Sequence, residues 1–154
     1  MKNTLVKPFI RKAQKSDFKA FYNLYKKFER EYEEIAYEPF VKKTKKQLKK
    51  EYMLEDIKKE LFYMAFINNK LVGYLEGILR NSKTGYISDL FVLKEFRSQG
   101  IASGLRNYFM QELKKRKYTK LELDVNIKNP AVDLYKKWGF KIVKYRMVKK
   151  LSWK

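Results

Sequence analysis

Residues Val92 to Ala102 read V-L-K-E-F-R-S-Q-G-I-A, and no other stretch limits the folds open to this chain as much. An apolar strand, Ile87 to Leu93, runs into a short polar turn of Arg97, Ser98, Gln99 and Gly100. Behind the turn, Ile101, Leu105, Phe109 and Leu113 recur at every fourth residue. That spacing draws one buried stripe along a helix ending near Lys117. A strand, a turn with a glycine and a helix N-terminus together make a natural phosphate site. The first helical N–H groups have no partner inside the helix, and its dipole puts partial positive charge there. Gly100 lets the backbone approach an anion without a Cβ in the way. Arg97 adds a full charge on a planar fork of donors.

A second run lies further on. Leu121-x-Leu123-x-Val125 is followed by Asn129, Ala131 and then Leu134-Tyr135-x-Lys137-x-Gly139-Phe140. Arg97-x-x-Gly100-x-Ala102 after its strand resembles the acyl-CoA-binding motif of the GNAT family of N-acetyltransferases. The second run resembles that family's strand and the helix that carries its catalytic tyrosine. The motifs stand in the family's order and separation, and with their flanks they cover Leu71 to Phe140.

The resemblance implies a mixed α/β fold. Its sheet is mostly antiparallel, flanked by helices on both faces, and splayed beside the cofactor-binding strand. It implies acetyl-CoA (coenzyme A) as cofactor, with the pantetheine amides paired to backbone around Phe91 and Val92. N–H groups of Ser98, Gln99, Gly100, Ile101 and Ala102 would hold the pyrophosphate, and Ser103 would add a hydroxyl. Arg97 and Ala102 stand where the family has Arg or Gln and Gly or Ala. Tyr135 would protonate the departing thiolate. One departure concerns Asn129. The family usually places Asn three residues before the Ala, where this chain has Lys128. Counted from Val125, Asn129 is in place, so the loop is read as one residue shorter.

The chain is expected to form one domain over residues 1–154, long enough for a real core. No apolar run approaches the length of a membrane span. Pro8 interrupts the first residues too early for a signal peptide, so a cytoplasmic protein is expected. There is no Cys and no His. A thiol acyl-enzyme and an imidazole base are therefore excluded, as are zinc sites that use either ligand. Base and acid roles fall to Asp, Glu, Tyr, Lys or water. For an acetyltransferase this favours direct attack of an amine on the thioester in a ternary complex.

The net charge is +20, with 37 basic residues against 17 acidic. Such an excess attracts CoA phosphates, nucleic acid and anionic surfaces alike. A rival reading is therefore a nucleic-acid- or ribosome-associated binding module. Against it, the lysines are spread along the chain and no RNA-binding motif is present. Lysine written on every solvated face accounts for the same charge.

Val6 to Arg11 reads as a first strand, and Ser16-Asp17 as the N-cap of a first helix. Phe18, Phe21, Tyr22, Tyr25 and Phe28 form its aromatic stripe. The segment from Glu29 to Glu38 holds five Glu and is the one acidic patch in a basic chain. Lys42 to Lys59 reads as a surface helical region with sparse apolar positions. Leu61–Ile67 and Leu71–Leu79 form a hairpin around Asn68-Asn69-Lys70. Asn81–Gly85 turns into the strand Tyr86–Leu93. Leu121–Val125 is a strand, Pro130 opens the last helix and Gly139 ends it. Phe140 to Leu151 reads as a closing strand.

The general base is the least determined role. Asp124, Glu76 and Asp89, in that order, are the candidates, each also readable as a solvated or structural charge. The acceptor is a primary amine: a small molecule, an aminoglycoside-like compound, a lysine or a protein N-terminus. The glutamates and tyrosines of Glu29 to Pro39 are suited to receive a cation, though they also balance neighbouring lysines. Oligomeric state is not fixed by the sequence, and a homodimer is compatible with it.

Overall fold

The computed structural model describes residues 7–36, 41–52 and 61–152. Its first frame is a hairpin. Strands β2 (Phe62–Ile67) and β3 (Lys70–Arg80) meet through Asn68 and Asn69. Both asparagines have positive φ, 48° and 62°, the geometry a two-residue hairpin turn requires and Asn tolerates. β3 pairs antiparallel with β4 (Thr84–Val92), and β1 (Phe9–Lys12) pairs antiparallel with β2. β5 (Lys120–Leu123) joins β4 in parallel, giving the order β1-β2-β3-β4-β5. Val6 lies outside the described residues.

Helices cover both faces. On one side lies α1 (Phe18–Ile35), whose Phe21 meets Tyr74 of β3 edge-on at 5.2 Å. On the other lies α3 (Ile101–Lys115). Its Phe109 presses so close that a Cβ on Gly77 would stand 2.5 Å from the ring, so only glycine fits there. Tyr74 and Gly77 are an odd number of residues apart on one strand and so point to opposite faces.

Asp17 starts α1 in a way the capping expectation did not contain. A 3₁₀ turn, Lys15–Asp17, precedes the helix. The carboxylate of Asp17 accepts both prongs of the Arg11 guanidinium at 2.7 Å and the Gln14 N–H at 2.7 Å. Burial pushes this carboxyl up. The Arg11 and Gln14 bonds outweigh that and leave it below the ordinary carboxylate value.

The lysine-rich region is only partly superficial. Within it, α2 (Lys45–Glu51) is capped by Thr44, and Leu48 and Tyr52 are buried. Tyr52 stacks on Phe21 at 4.9 Å and donates its hydroxyl to the Gln14 carbonyl at 2.9 Å. Residues 53–60 of the expected helical region lie outside the described residues.

Two departures from regularity matter for function. Glu76 pairs with Asp89, but the next residue, Gly77, pairs with Ile87, so Ser88 is an extra residue in β4. Such a bulge reverses which face the residues beyond it occupy. Gly85 and Ile87 look towards α3, whereas Asp89 and Phe91 look towards α1. The second departure is between β4 and β5. Their pairing runs from Thr84↔Lys120 to Ile87↔Leu123 and stops. From Ser88 onward that side of β4 has no β5 partner among the described residues.

The expected closing strand does not form. After α4 (Val132–Lys137), residues 140–152 carry neither helix nor strand. Every residue from Lys141 to Ser152 is exposed. A strand needs an edge to pair with, and among the described residues this segment lies on none.

Candidate active site

The turn after β4 is held in a bent form. Ser98 has φ 61° and Gly100 φ 78°, both left-handed. A Cβ on Gly100 would meet nothing within 4 Å, so the space in front of it is open. Glycine is there for its angle, which a branched residue adopts only with strain. The Gly104 N–H donates to the Gly100 carbonyl at 2.8 Å as the helical ladder begins. The amides of Ile101, Ala102 and Ser103 therefore have no acceptor inside α3. Free first-turn amides, an open approach and the dipole of a 15-residue helix fit a pyrophosphate. The unpaired side of β4 beyond Ile87, where Phe91 and Val92 are buried, offers backbone groups to a pantetheine arm.

Arg97 is placed differently from the simple phosphate picture. Its Nε–H donates to the Val92 carbonyl at 2.8 Å, and its other prong is paired with Glu31 of α1. The guanidinium also lies 5.5 Å from the centre of the Phe91 ring. Arg97 thus ties α1 to the end of β4. Gln99 is exposed and donates to the Glu95 carbonyl at 3.3 Å, closing the turn.

The helix with Tyr135 is docked on this turn. The Trp138 indole N–H donates to the Ser103 hydroxyl at 3.2 Å, and the Arg106 guanidinium lies 4.4 Å from the Trp138 ring centre. The side-chain oxygen of Asn129 accepts the Ala131 N–H at 2.9 Å, so Asn129 shapes the entry to α4. Tyr135 is partly buried against Trp138 and Phe140, at ring distances of 5.6 and 6.0 Å. Burial first, and the charge of Asp89 second, push its phenol up to about 12. The hydroxyl therefore keeps its proton at neutral pH.

The Ser88 bulge turns Asp89 towards α1, on the same face as Glu76. Under α1 these carboxylates share the region of Tyr25, Tyr74 and Glu29. Burial raises the phenols of Tyr25 and Tyr74, and the charges of Asp89, Glu76 and Glu29 raise them further. Glu29 is 2% exposed, and one of its oxygens is paired with Lys26. Its Oε1 and the Tyr74 hydroxyl are buried and have no hydrogen-bond partner among the described residues. Asp124, by contrast, lies just past β5, is exposed, and accepts from the Tyr86 hydroxyl at 3.0 Å. Glu29, Glu31, Glu33 and Glu34 of the acidic patch lie on the second half of α1, where Glu31 pairs with Arg97 and Glu33 with Lys42 at 2.8 Å. Tyr37, Glu38 and Pro39 lie outside the described residues.

The model of the acetyltransferase (GNAT) domain family matches residues 26–152. The chain belongs to the GNAT family of N-acetyltransferases. An uncharacterized N-acetyltransferase of Methanocaldococcus jannaschii is 31% identical over 96% of this chain and 69% of its own length. An N-alpha-acetyltransferase of Saccharolobus solfataricus is 33% identical over 54% of this chain and 58% of its own. Among solved structures, the PaiA N-acetyltransferase of Thermoplasma acidophilum, in complex with coenzyme A, has a TM-score of 0.76. It is 20% identical, over 91% of this chain and 93% of that one. An aminoglycoside acetyltransferase from an uncultured soil metagenomic sample, in complex with sisomicin, has a TM-score of 0.67 at 19% identity, covering 96% and 97%.

In this GNAT chain the structure brings Ser98, Gly100, Ile101, Ala102 and Ser103 together at one helix end, with Phe91 and Val92 on the adjoining strand. Sequence reasoning missed the anchoring of Arg97 by Glu31, 66 residues away. It did not read the bulge at Ser88, which turns Asp89 to the face under α1. The trace of the bulge is the odd spacing of Ile87 and Leu90, which both face α3. Among the described residues no group of Asp or Glu is placed to hold a metal ion, and no helix is long and apolar enough to cross a membrane.

Proposed function

We propose that this GNAT protein uses acetyl-CoA to acetylate a primary amine by direct attack within a ternary complex. The observation that carries the reading is the gap between β4 and β5 past Ile87 and Leu123, open beside the free amides of Ile101, Ala102 and Ser103. Bound there, acetyl-CoA supplies an activated acetyl group as a thioester. The amides and the Gly100 turn hold the pyrophosphate, and β4 from Ser88 to Val92 pairs with the pantetheine. An amine arrives as an ammonium, and the carboxylates of Glu29, Glu76 and Asp89 attract it under α1. Asp89 takes the proton that frees the nitrogen lone pair. The nitrogen bonds to the acetyl carbon, the carbon–sulfur bond breaks and Tyr135 gives its proton to the leaving sulfur, while the second proton shed by the new amide nitrogen passes through water to restore the phenol. Asp89 is preferred over Asp124 because its charge reaches Tyr135, whereas Asp124 is bound to Tyr86.

The test is a thermal-shift titration with acetyl-CoA, followed by a screen for free CoA release across small amines, aminoglycosides, lysine peptides and peptide N-termini. Saturable stabilisation with intersecting double-reciprocal plots is expected. Absence of stabilisation, or parallel lines with a mass-detected acetyl-enzyme, overturns the reading. Asp89→Asn should lower turnover far more than Asp124→Asn.

A further inference from the structure

The lysines are spread along the sequence, but folding gathers one set of them. β3 ends with Arg80 opposite Thr84, and Thr84 stands opposite Lys120 at the start of β5. The turn between β3 and β4 therefore lies beside the turn that follows α3. The Thr119 N–H donates to the Lys83 carbonyl at 3.0 Å and fixes one turn to the other. Arg80 and Lys83 are exposed on the first turn, and Lys114, Lys115, Lys117 and Lys120 are exposed on or beside the second. Glu122 is shared by Arg80 and Lys120, at 3.8 and 3.7 Å, and Glu112 is bound to Arg116 at 2.7 Å. Lys83, Lys114, Lys115 and Lys117 are left with no ion pair among the described residues.

Lys114 and Lys115 have a local reason to be there, the negative end of the α3 dipole. Lys83 and Lys117 do not, because the backbone at both disfavours a side chain. α3 and α4 end in the same motif. After α4 the Gly139 N–H donates to the Lys136 carbonyl and the Phe140 N–H to the Tyr135 carbonyl. After α3 the Lys117 N–H donates to the Lys114 carbonyl and the Tyr118 N–H to the Leu113 carbonyl. The motif needs one left-handed residue, usually glycine. α4 uses Gly139, at φ 88°, whereas α3 uses Lys117, at φ 57°. The β2–β3 turn likewise takes its positive angles from asparagines, whereas the β3–β4 turn takes them from Ser82, at φ 60°, and Lys83, at φ 56°. No other lysine among the described residues has a left-handed backbone. Glycine or asparagine holds such an angle at less cost, so lysine at both points is there for its side chain.

Tyr118 stands between these two lysines in the chain's fold. The Lys83 ammonium lies 5.5 Å from its ring centre. The ring also lines a cleft of about 550 Å³ between α3 and β5, together with Gln111, Leu113, Thr119 and Leu121. The side chains of Gln111 and Thr119 have no hydrogen-bond partner among the described residues. Leucines, an aromatic ring, a free amide, a free hydroxyl and cations around them match the parts of a nucleotide. Lysines take the phosphates, and an unstacked base enters the cleft against Tyr118. Gln111 and Thr119 are then free for the base edge and the ribose 2′-hydroxyl. A duplex has no unstacked base to offer, and a lipid surface would leave the cleft unused.

We propose that this end of the molecule binds single-stranded RNA. The 15 residues of α3 put it about 22 Å from the first-turn amides at the other end of that helix. The inference does not depend on the acetyl-transfer reading.

Fluorescence anisotropy of a labelled oligouridylate of about twelve nucleotides, with the full chain, tests it. A Kd of roughly 1–10 μM at low salt is expected. The log–log salt slope should be about −2 to −3, with Lys83, Lys114, Lys115 and Lys117 each contributing about 0.7. Absence of binding up to ~100 μM overturns the proposal, as does equal affinity for the deoxy strand of the same length. Lys83→Gln, Lys114→Gln and Lys117→Gln together should weaken binding about 10-fold or more and flatten the slope by about 2. Lys46→Gln, Lys49→Gln and Lys50→Gln remove the same charge from α2, and should change affinity less than about 3-fold, because at 0.1 M salt charge acts over only about 10 Å. Equal losses from the two sets overturn the proposal.

Two single changes separate RNA binding from the fold. Lys117→Gly takes the left-handed angle without strain, so the melting temperature should hold or rise while RNA affinity falls about 3- to 5-fold. Tyr118→Leu keeps an apolar body but no ring, and should weaken binding about 5-fold or more with the circular-dichroism spectrum kept. RNA affinity unchanged in both would leave a bare solvated charge patch and overturn the proposal.

Discussion

The sheet is finished at one end and open at the other. From β2 to β4 each strand has neighbours and each face a helix, and Met64, Val72, Tyr74 and Leu75 are fully buried. From β5 onward no residue of α4 is buried, and the chain ends in an exposed segment. The proposed chemistry belongs to neither end alone. The amides of α3, Asp89 and the turn at Gly100 stand on the finished half, whereas Tyr135 stands on the open one. The Trp138–Ser103 bond joins the two. On the proposed mechanism, the turn that would hold the cofactor and the helix that carries Tyr135 are thus built from different amounts of burial.

The largest effect should come from the finished half. Phe109 is fully buried on Gly77. Phe109→Ala removes that ring and should cost about 3–5 kcal/mol in urea unfolding. A loss below ~1 kcal/mol would show that the core tolerates a cavity of this size and would break the contrast.

Next comes the open half. Tyr135→Phe should lower kcat about 100-fold, near the lower end for a general acid, while acetyl-CoA affinity stays constant. Unchanged turnover with a saturating amine would return Tyr135 to a packing role. The alkaline limb adds a check. The phenol's folded value, about 12, lies above its ordinary value of 10.0. Its contribution to stability is therefore complete below pH 10 and lost as pH rises towards 12. The melting temperature of Tyr135→Phe should fall less steeply across that window than that of the unaltered chain.

Asp17→Asn probes the finished half through charge. Its two bonds to Arg11 and one from Gln14 are charge-assisted, so about 1.5–3 kcal/mol should be lost at neutral pH. The folded carboxyl lies below 3.8. The stability it provides is present above that value and disappears as pH falls through the folded one. Variant and parent should converge in strong acid, and a constant gap would refute the assignment.

The smallest effect tests the join. Ser103→Ala removes the acceptor of the Trp138 indole and should cost about 0.5–1.5 kcal/mol. Turnover should fall by more than the change in acetyl-CoA affinity, because α4 loses its seat. Equal changes in both would mean that Ser103 acts on the cofactor alone.

Much of the finished half was legible in the sequence. The Asn68-Asn69 turn, the aromatic stripe of the first helix and the Ile101–Leu113 stripe are local patterns, and local patterns specify their own elements. What escaped depends on distance or on count. Tyr52 sits among lysines, and only its contact with Phe21 and Gln14 makes it core. The Arg97–Glu31 pair joins residues 66 apart, and no local pattern announces it. The expected closing strand over Phe140 to Leu151 does not form, because a strand depends on an edge that no local pattern supplies. The bulge that turns Asp89 under α1 is one extra residue in β4, and it is silent in composition.

That extra residue, Ser88, lets a single strand be read in two frames. Before it, odd-numbered positions answer to the helix that packs the core; after it, they answer to the pocket. Removing Ser88 would make the ladder regular and leave Asp89 opposite Glu76 and Leu90 opposite Leu75, each on its present face. Forcing Ser88 into regular pairing would instead carry Asp89 to the leucine side and Leu90 to the face under α1. The orientation of the acid therefore rests on Ser88 staying outside the ladder.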